Sequence, residues 1–163
     1  VIAVFQADSA SCSNYDMVVM GSCNVGTQTC VQNANSSGAS AQILITGSIL
    51  ASDDNLSLTA FNMPTGQPGY FIWASTGGLV DLPAAGISDG FLCLGSNIGR
   101  FTGNVFVTSS GGFAALNNID TTMLPSPVGV PVAIMAGDTA HFQAWFRDGT
   151  DNNFTDAAMI TWQ

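Results

Sequence analysis

The sequence predicts an all-β protein, a β-sandwich or jelly roll of roughly ten short strands with an N-terminal strand and hairpin extension. Three observations carry this. Only 8% of the 163 residues are charged, against about a quarter in ordinary soluble domains. Lys and Glu are absent, and these residues favour exposed helix faces, so surface helices are disfavoured. Finally, residues 138–148 (D-T-A-H-F-Q-A-W-F-R-D) alternate with period two. Ala140, Phe142, Ala144 and Phe146 share one face, and His141, Gln143, Trp145 and Arg147 the other, which describes a half-buried strand with a mixed outer face.

Taken in order, residues 1–5 (V-I-A-V-F) form a continuous apolar, β-branched run, expected to be a strand buried on both faces. Residues 15–20 (Y-D-M-V-V-M) are a second strand candidate, and the segment 1–29 reads as an added strand and hairpin ahead of a sandwich domain over 30–163. Residues 32–41 are polar and linker-like. Strands follow at 43–50 and 56–61, with a turn at 52–55. The P-T-G-Q-P-G run at 64–69 is a dense turn signal, so 56–74 reads as a long-tipped hairpin whose second arm, Y-F-I-W-A, is apolar on both faces and therefore central. Residues 77–89 are irregular and 91–94 a short strand. Residues 104–108 and 112–119 read as a pair across Ser109-Ser110-Gly111. Pro125, Pro127 and Pro131 break the chain before a short strand at most over 132–135, and the last strand is 157–162.

The net charge of −9 leaves no basic patch to meet phosphate, which argues against nucleic acid. No apolar run approaches the roughly 18 residues of a membrane span. With so few charges, part of the surface must be neutral or apolar, and an apolar surface outside a membrane is usually an interface. Cys12, Cys23, Cys30 and Cys93 form an even set in an acidic chain, which favours two disulfides among three possible pairings and an exported protein. The sequence lacks a basic n-region, so any signal peptide is expected to have been removed.

Chemistry is sparse. His141 is the lone histidine, and no G-x-S-x-G elbow accompanies it, so the protein is expected not to be an enzyme. Asp148, Asp151, Asn152, Asn153 and Asp156 cluster after the 138–148 strand. Oxygen ligands of this kind suit Ca²⁺, with Asp148, Asp151, Asn153 and Asp156 the candidates. The spacing lacks the closing Glu of an EF-hand, and a solvated Asx-rich turn is the preferred reading, with no cofactor. Asn35, Asn55 and Asn153 head N-x-S/T triplets.

Several blocks in order resemble a small β module of secreted bacterial proteins, often C-terminal in larger exported chains: L-S-L-T-A at 56–60, M-P-T-G-Q-P-G-Y-F at 63–71, G-F-L-C-L at 90–94, R-F at 100–101, A-H-F-Q-A-W-F-R-D at 140–148 and N-F-T-D-A at 153–157. N-S-S-G at 35–38 matches the entry to that module, and the resemblance covers about residues 30–163. It implies a non-catalytic β-sandwich without an established ligand. Its cysteines match Cys30 and Cys93, which implies that pairing and leaves Cys12–Cys23 to the extension. The extension itself departs from the module and favours a self-contained structural subunit.

The functional expectation is an extracellular bacterial filament or surface assembly, a homo-polymer built head to tail by strand addition of residues 1–5. Val1, Ile2, Val4 and Phe5 would form the interface, with Trp145 and Arg147 on the outer face of the 138–148 strand. The alternative is a polysaccharide- or cell-surface-binding module using Trp145 and the 148–156 stretch.

Overall fold

A computed structural model describes residues 24–163. Among these residues the chain forms twelve strands: β1 (Thr27–Cys30), β2 (Gln42–Gly47), β3 (Leu56–Phe61), β4 (Pro68–Ala74), β5 (Gly77–Val80), β6 (Leu92–Leu94), β7 (Gly99–Arg100), β8 (Phe106–Val107), β9 (Ala114–Ile119), β10 (Thr139–Asp148), β11 (Asp151–Phe154) and β12 (Ala157–Thr161). Every strand pairing between them is antiparallel. The fold is all-β and sandwich-like, as the composition predicts.

The large sheet runs β1-β12-β10-β4-β7, with β11 also on β10 and β8 on β4. The second sheet is β2-β3-β9, and β5-β6 form a separate ribbon. Alternation fills the space between the two larger sheets. Phe71 and Trp73 of β4, Ala140, Phe142, Ala144 and Phe146 of β10, and Ala158 and Ile160 of β12 point inward. They meet Ile43, Ile45, Leu56, Leu58, Ala60, Ala114 and Ile119 from the opposing sheet. Phe142 and Phe146 are fully buried, each contributing about 1.5–3 kcal/mol of apolar burial.

The outer face of β10 differs from its expected exposed, mixed character. The ribbon β5-β6 folds over the large sheet, making a third layer. Ile72, Ala74, Leu94 and Phe154 form a second apolar cluster beneath it, joined by Tyr70, Leu82 and Trp145. Gln143, expected to face outward, is 0% exposed. Its Oε1 accepts from Cys93 N–H at 3.1 Å, and its Nε2 donates to Phe91 O at 2.9 Å and Thr155 O at 2.8 Å. A buried amide is tolerated only when its groups are paired, and here they are. β4 is central and apolar on both faces because each face meets a layer.

Two expected hairpins do not form. β3 pairs with β2 and β9, whereas β4 pairs with β10, β7 and β8, so residues 62–67 carry the chain from one sheet to the other. Likewise β8 pairs with β4 and β9 with β3, so residues 108–113 are a second crossover. The turn residues are real, with Asn62 at φ 61°, Gly66 at φ 71° and Gly112 at φ 70°, but they reverse the chain between sheets. The 32–41 stretch is no free linker. Gln32 and Asn35 are buried, and Gln32 brackets residue 91, donating to Phe91 O at 2.8 Å and accepting from Phe91 N–H at 2.7 Å.

Candidate assembly interface

The two seams of the sandwich differ. Along one, the sheets are stitched together. Val25 N–H donates to Ile45 O at 2.9 Å and Asn24 bridges Thr46, so the chain lies on β2 before Thr27–Cys30 joins β12 in the other sheet. Next to it, β11 and β12 run along β10 with one extra residue between them. Five residues, from Phe154 to Ala158, oppose four on β10, from Trp145 to Phe142. This bulge turns Asp156 out of the ladder. Its N–H donates to Ala41 O at 2.9 Å, its Oδ1 accepts from Ile43 N–H at 2.6 Å, and its Oδ2 accepts from Gln28 Nε2.

Among the described residues, no strand closes the opposite seam. β9 ends the small sheet and β7 ends the main path of the large one. Between them lies a groove of about 390 Å³, lined by Arg100, Asn104, Leu116, Asn118, Asp120 and Met123 among others. The segments framing it expose large apolar side chains: Val105 60%, Val107 67%, Phe113 51% and Met123 60%. The outer edge of β9 is regular over 114–116. Beyond that, four residues from Leu116 to Ile119 oppose three from Leu58 to Leu56, and Asn118 takes φ 53°, a bulge that ends the regular edge. Sequence reasoning did not single out this groove. Its residues are local neighbours in neither composition nor spacing, and only the crossover at 108–113 brings β9 opposite residues 100–104.

The predicted site residues fall in several places. Val1, Ile2, Val4, Phe5, Cys12 and Cys23 lie outside the described residues. Cys30 and Cys93 are joined as a disulfide with Cα atoms 6.3 Å apart, pinning β6 and its ribbon to the end of β1. Trp145 is half-buried and packs on Tyr70 with ring centroids 5.0 Å apart. Arg147 is exposed, its Cζ 5.9 Å from the Trp145 ring centroid, a cation–π distance.

The calcium candidates are not a solvated turn. Asp151–Phe154 is strand β11, paired back onto β10 through Asp148↔Asp151. Asp148 is buried and accepts from Ser36 N–H at 3.1 Å and Asn153 Nδ2 at 3.2 Å. Asn153 is fully buried, while Asp151 is exposed and accepts from Asn152 N–H at 2.8 Å. Asp156 lies on the closed seam. Among the described residues, no three His, Cys or acidic side chains gather as metal ligands. The carboxylates instead accept from protein N–H groups.

His141 is half-buried on the ribbon side of β10, and its Nδ1 is buried with no hydrogen-bond partner among the described residues. Burial lowers its pKa below the usual 6.5. No base–nucleophile or base–carboxylate bond is therefore made at Nδ1. Among the described residues, no helix is long and apolar enough to cross a membrane.

No protein-family model, no curated protein and no solved structure matches the chain. The resemblance to a secreted β module thus rests on its ordered sequence blocks, and the fold agrees with its coarser content, a small all-β module.

Proposed function

We propose that this chain is a structural subunit of an extracellular bacterial filament or surface assembly. Residues 1–5 of one copy add as a strand beside β9 of the next. The observation that carries the reading is the asymmetry of the seams among the described residues: one is stitched shut, and the other offers a strand edge that no described strand pairs, an apolar rim and a groove. An unprotected edge beside apolar surface is a template for strand addition. The run V-I-A-V-F is the chain's most continuous apolar segment in its first 23 residues, and it has the composition such an edge recruits. The described fold begins at Asn24, which bridges Thr46 on the closed seam. A contact between different faces is heterologous and propagates into a filament when its rotation does not close. The Cys30–Cys93 disulfide and the scarcity of Lys and Arg suit a life outside the cell.

The test is negative-stain microscopy and sedimentation of the full chain beside a variant lacking residues 1–5. The full chain is expected to form filaments, and the truncated chain to remain a folded monomer by circular dichroism. Identical polymers from both would sink the reading.

A second reading has one observation of its own. Tyr70, Trp145 and Arg147 form a contiguous aromatic and cationic row, a surface on which a sugar ring can stack. Under that reading the protein is a polysaccharide-binding module. Trp145→Ala would then abolish retention on the polysaccharide while leaving assembly unchanged.

A further inference from the structure

Three N-x-S/T triplets occur, at Asn35-Ser36-Ser37, Asn55-Leu56-Ser57 and Asn153-Phe154-Thr155. The fold treats them differently. Asn35 is 7% exposed, and both ends of its amide are engaged: Nδ2 donates to Asn62 O at 2.7 Å and Oδ1 accepts from Ser37 N–H at 2.8 Å. Asn153 is 0% exposed, with Nδ2 donating to Asp148 Oδ2 at 3.2 Å and Oδ1 accepting from Phe154 N–H at 2.8 Å. The hydroxyl of Thr155 is buried too, donating to Asp156 O at 2.7 Å. A sugar on either amide would remove a buried donor and insert a polar bulk into packed interior, so a chain modified there cannot reach this fold.

Asn55 is the opposite case. It is exposed, in the turn between the 3-10 segment Ala51–Asp53 and β3. The turn is shaped by backbone groups: Asn55 O accepts from Ser48 N–H at 2.9 Å, and Asp54 takes φ 44°. Nothing in that arrangement depends on the Asn55 amide. Leu56 is buried and anchors the start of β3, so residue 55 is held at the surface as the chain extends through the triplet.

The structure assigns Asn55 as the N-glycan acceptor of this chain. In the step, Asn55 Nδ2 bonds to the anomeric carbon of a lipid-diphosphate-linked oligosaccharide. The bond from that carbon to the diphosphate oxygen breaks, the amide loses one proton and the lipid diphosphate leaves. The glycan would stand at the end of the sandwich where Leu56 pairs with Ile119, away from the Ala114 end of β9. It therefore leaves the 114–116 edge open, and the assignment does not depend on the assembly reading.

The test is glycopeptide mass spectrometry on the native protein. Chymotrypsin is used for digestion, because Arg100 and Arg147 are the only tryptic sites. The peptide containing Asn55 is expected to carry a hexose- or hexosamine-type mass shift, with those containing Asn35 and Asn153 unshifted. Secretion from a glycosylating host supplies the second measurement. The mass shift should be lost in Asn55→Gln and in Ser57→Ala and retained in Asn35→Gln. An unmodified Asn55 in the native protein, or a glycan on Asn35 or Asn153, overturns the assignment.

Discussion

Asp156 Oδ1 accepts the backbone N–H of Ile43 at 2.6 Å across the gap between the two main sheets. β2 is an end strand of its sheet, so this N–H would otherwise be buried without a partner. A single carboxylate, pushed out of its own ladder by a bulge, completes the ladder of another sheet. Asp156 is only 4% exposed, so the bond comes with a desolvation cost. Burial raises its pKa from 3.8 to about 6, against the opposing pull of the Ile43 N–H and Gln28.

A pKa raised in the fold means that the native state holds a proton the unfolded chain has released. The resulting stabilisation is fully present below pH 3.8 and is lost as pH rises through about 6. It amounts to about 2–3 kcal/mol, at about 1.4 kcal/mol per pKa unit. Asp156→Asn keeps an acceptor for Ile43 without the charge. Urea unfolding across a pH series is expected to show this slope in the parent and none from this group in the variant. An unchanged slope in Asp156→Asn would count against it. Asp156→Ala leaves Ile43 N–H unpaired and should cost about 1–3 kcal/mol at pH 4.

His141 works in the other direction. Burial lowers its folded pKa below 6.5, so the neutral ring's contribution is present above pH 6.5 and lost as pH falls through the lower folded value. The ring packs against Gly77 of the ribbon, where an added Cβ would lie 2.9 Å from its Cε1. His141→Gln is expected to remove this acid-side loss of stability while leaving that of Asp156 in place. Difference titration of the two unfolding curves separates them, and parallel curves would refute a role for His141.

Gln143 bonds three backbone groups at the junction of large sheet and ribbon. Gln143→Leu keeps the bulk but strands Cys93 N–H and Thr155 O, while Phe91 O keeps its bond from Gln32 Nε2. We expect a loss of about 2–4 kcal/mol in the unfolding free energy, and Gln143→Ala should add a cavity to the same defect. Amide hydrogen exchange at residues 91–94 should rise in both variants. A Leu variant as stable as the parent would show that the amide is dispensable.

Ala115 is exposed on the edge of β9 that no described strand pairs. A lysine there is the kind of charge that blocks edge pairing. Ala115→Lys is expected to change the unfolding midpoint little, within about 0.5 kcal/mol, as for a surface substitution. It should nonetheless abolish filaments under conditions where the parent assembles. Filaments of normal length in this variant would remove β9 as the acceptor.

Period-two alternation was enough to place β10 and the inward set Ala140, Phe142, Ala144 and Phe146, because side-chain direction along a strand is a local property. The doubly apolar Y-F-I-W-A likewise announced a strand covered on both sides. The resemblance supplied the Cys30–Cys93 pair. What stayed illegible is the choice of partner for each strand. Pro64–Gly69 and Ser109–Gly111 look the same whether the chain returns beside itself or crosses to a facing sheet, because turn chemistry sets a reversal and not its destination. The D-N-N-F stretch read as solvated because it is polar. It is a half-buried strand because Asn153 and Asp148 satisfy each other and Ser36, which depends on residues more than 100 positions apart.

The sequence alone determined the class of fold, the identity of its core strands and the near absence of charge, all of which follow from local pattern and composition. The tertiary structure decided that Asp156 closes one seam, that no described strand covers β9 at the other and that Asn55 alone of three triplets faces solvent. Those are facts about which distant groups meet, and burial and hydrogen-bond pairing are settled only when the sheets pack.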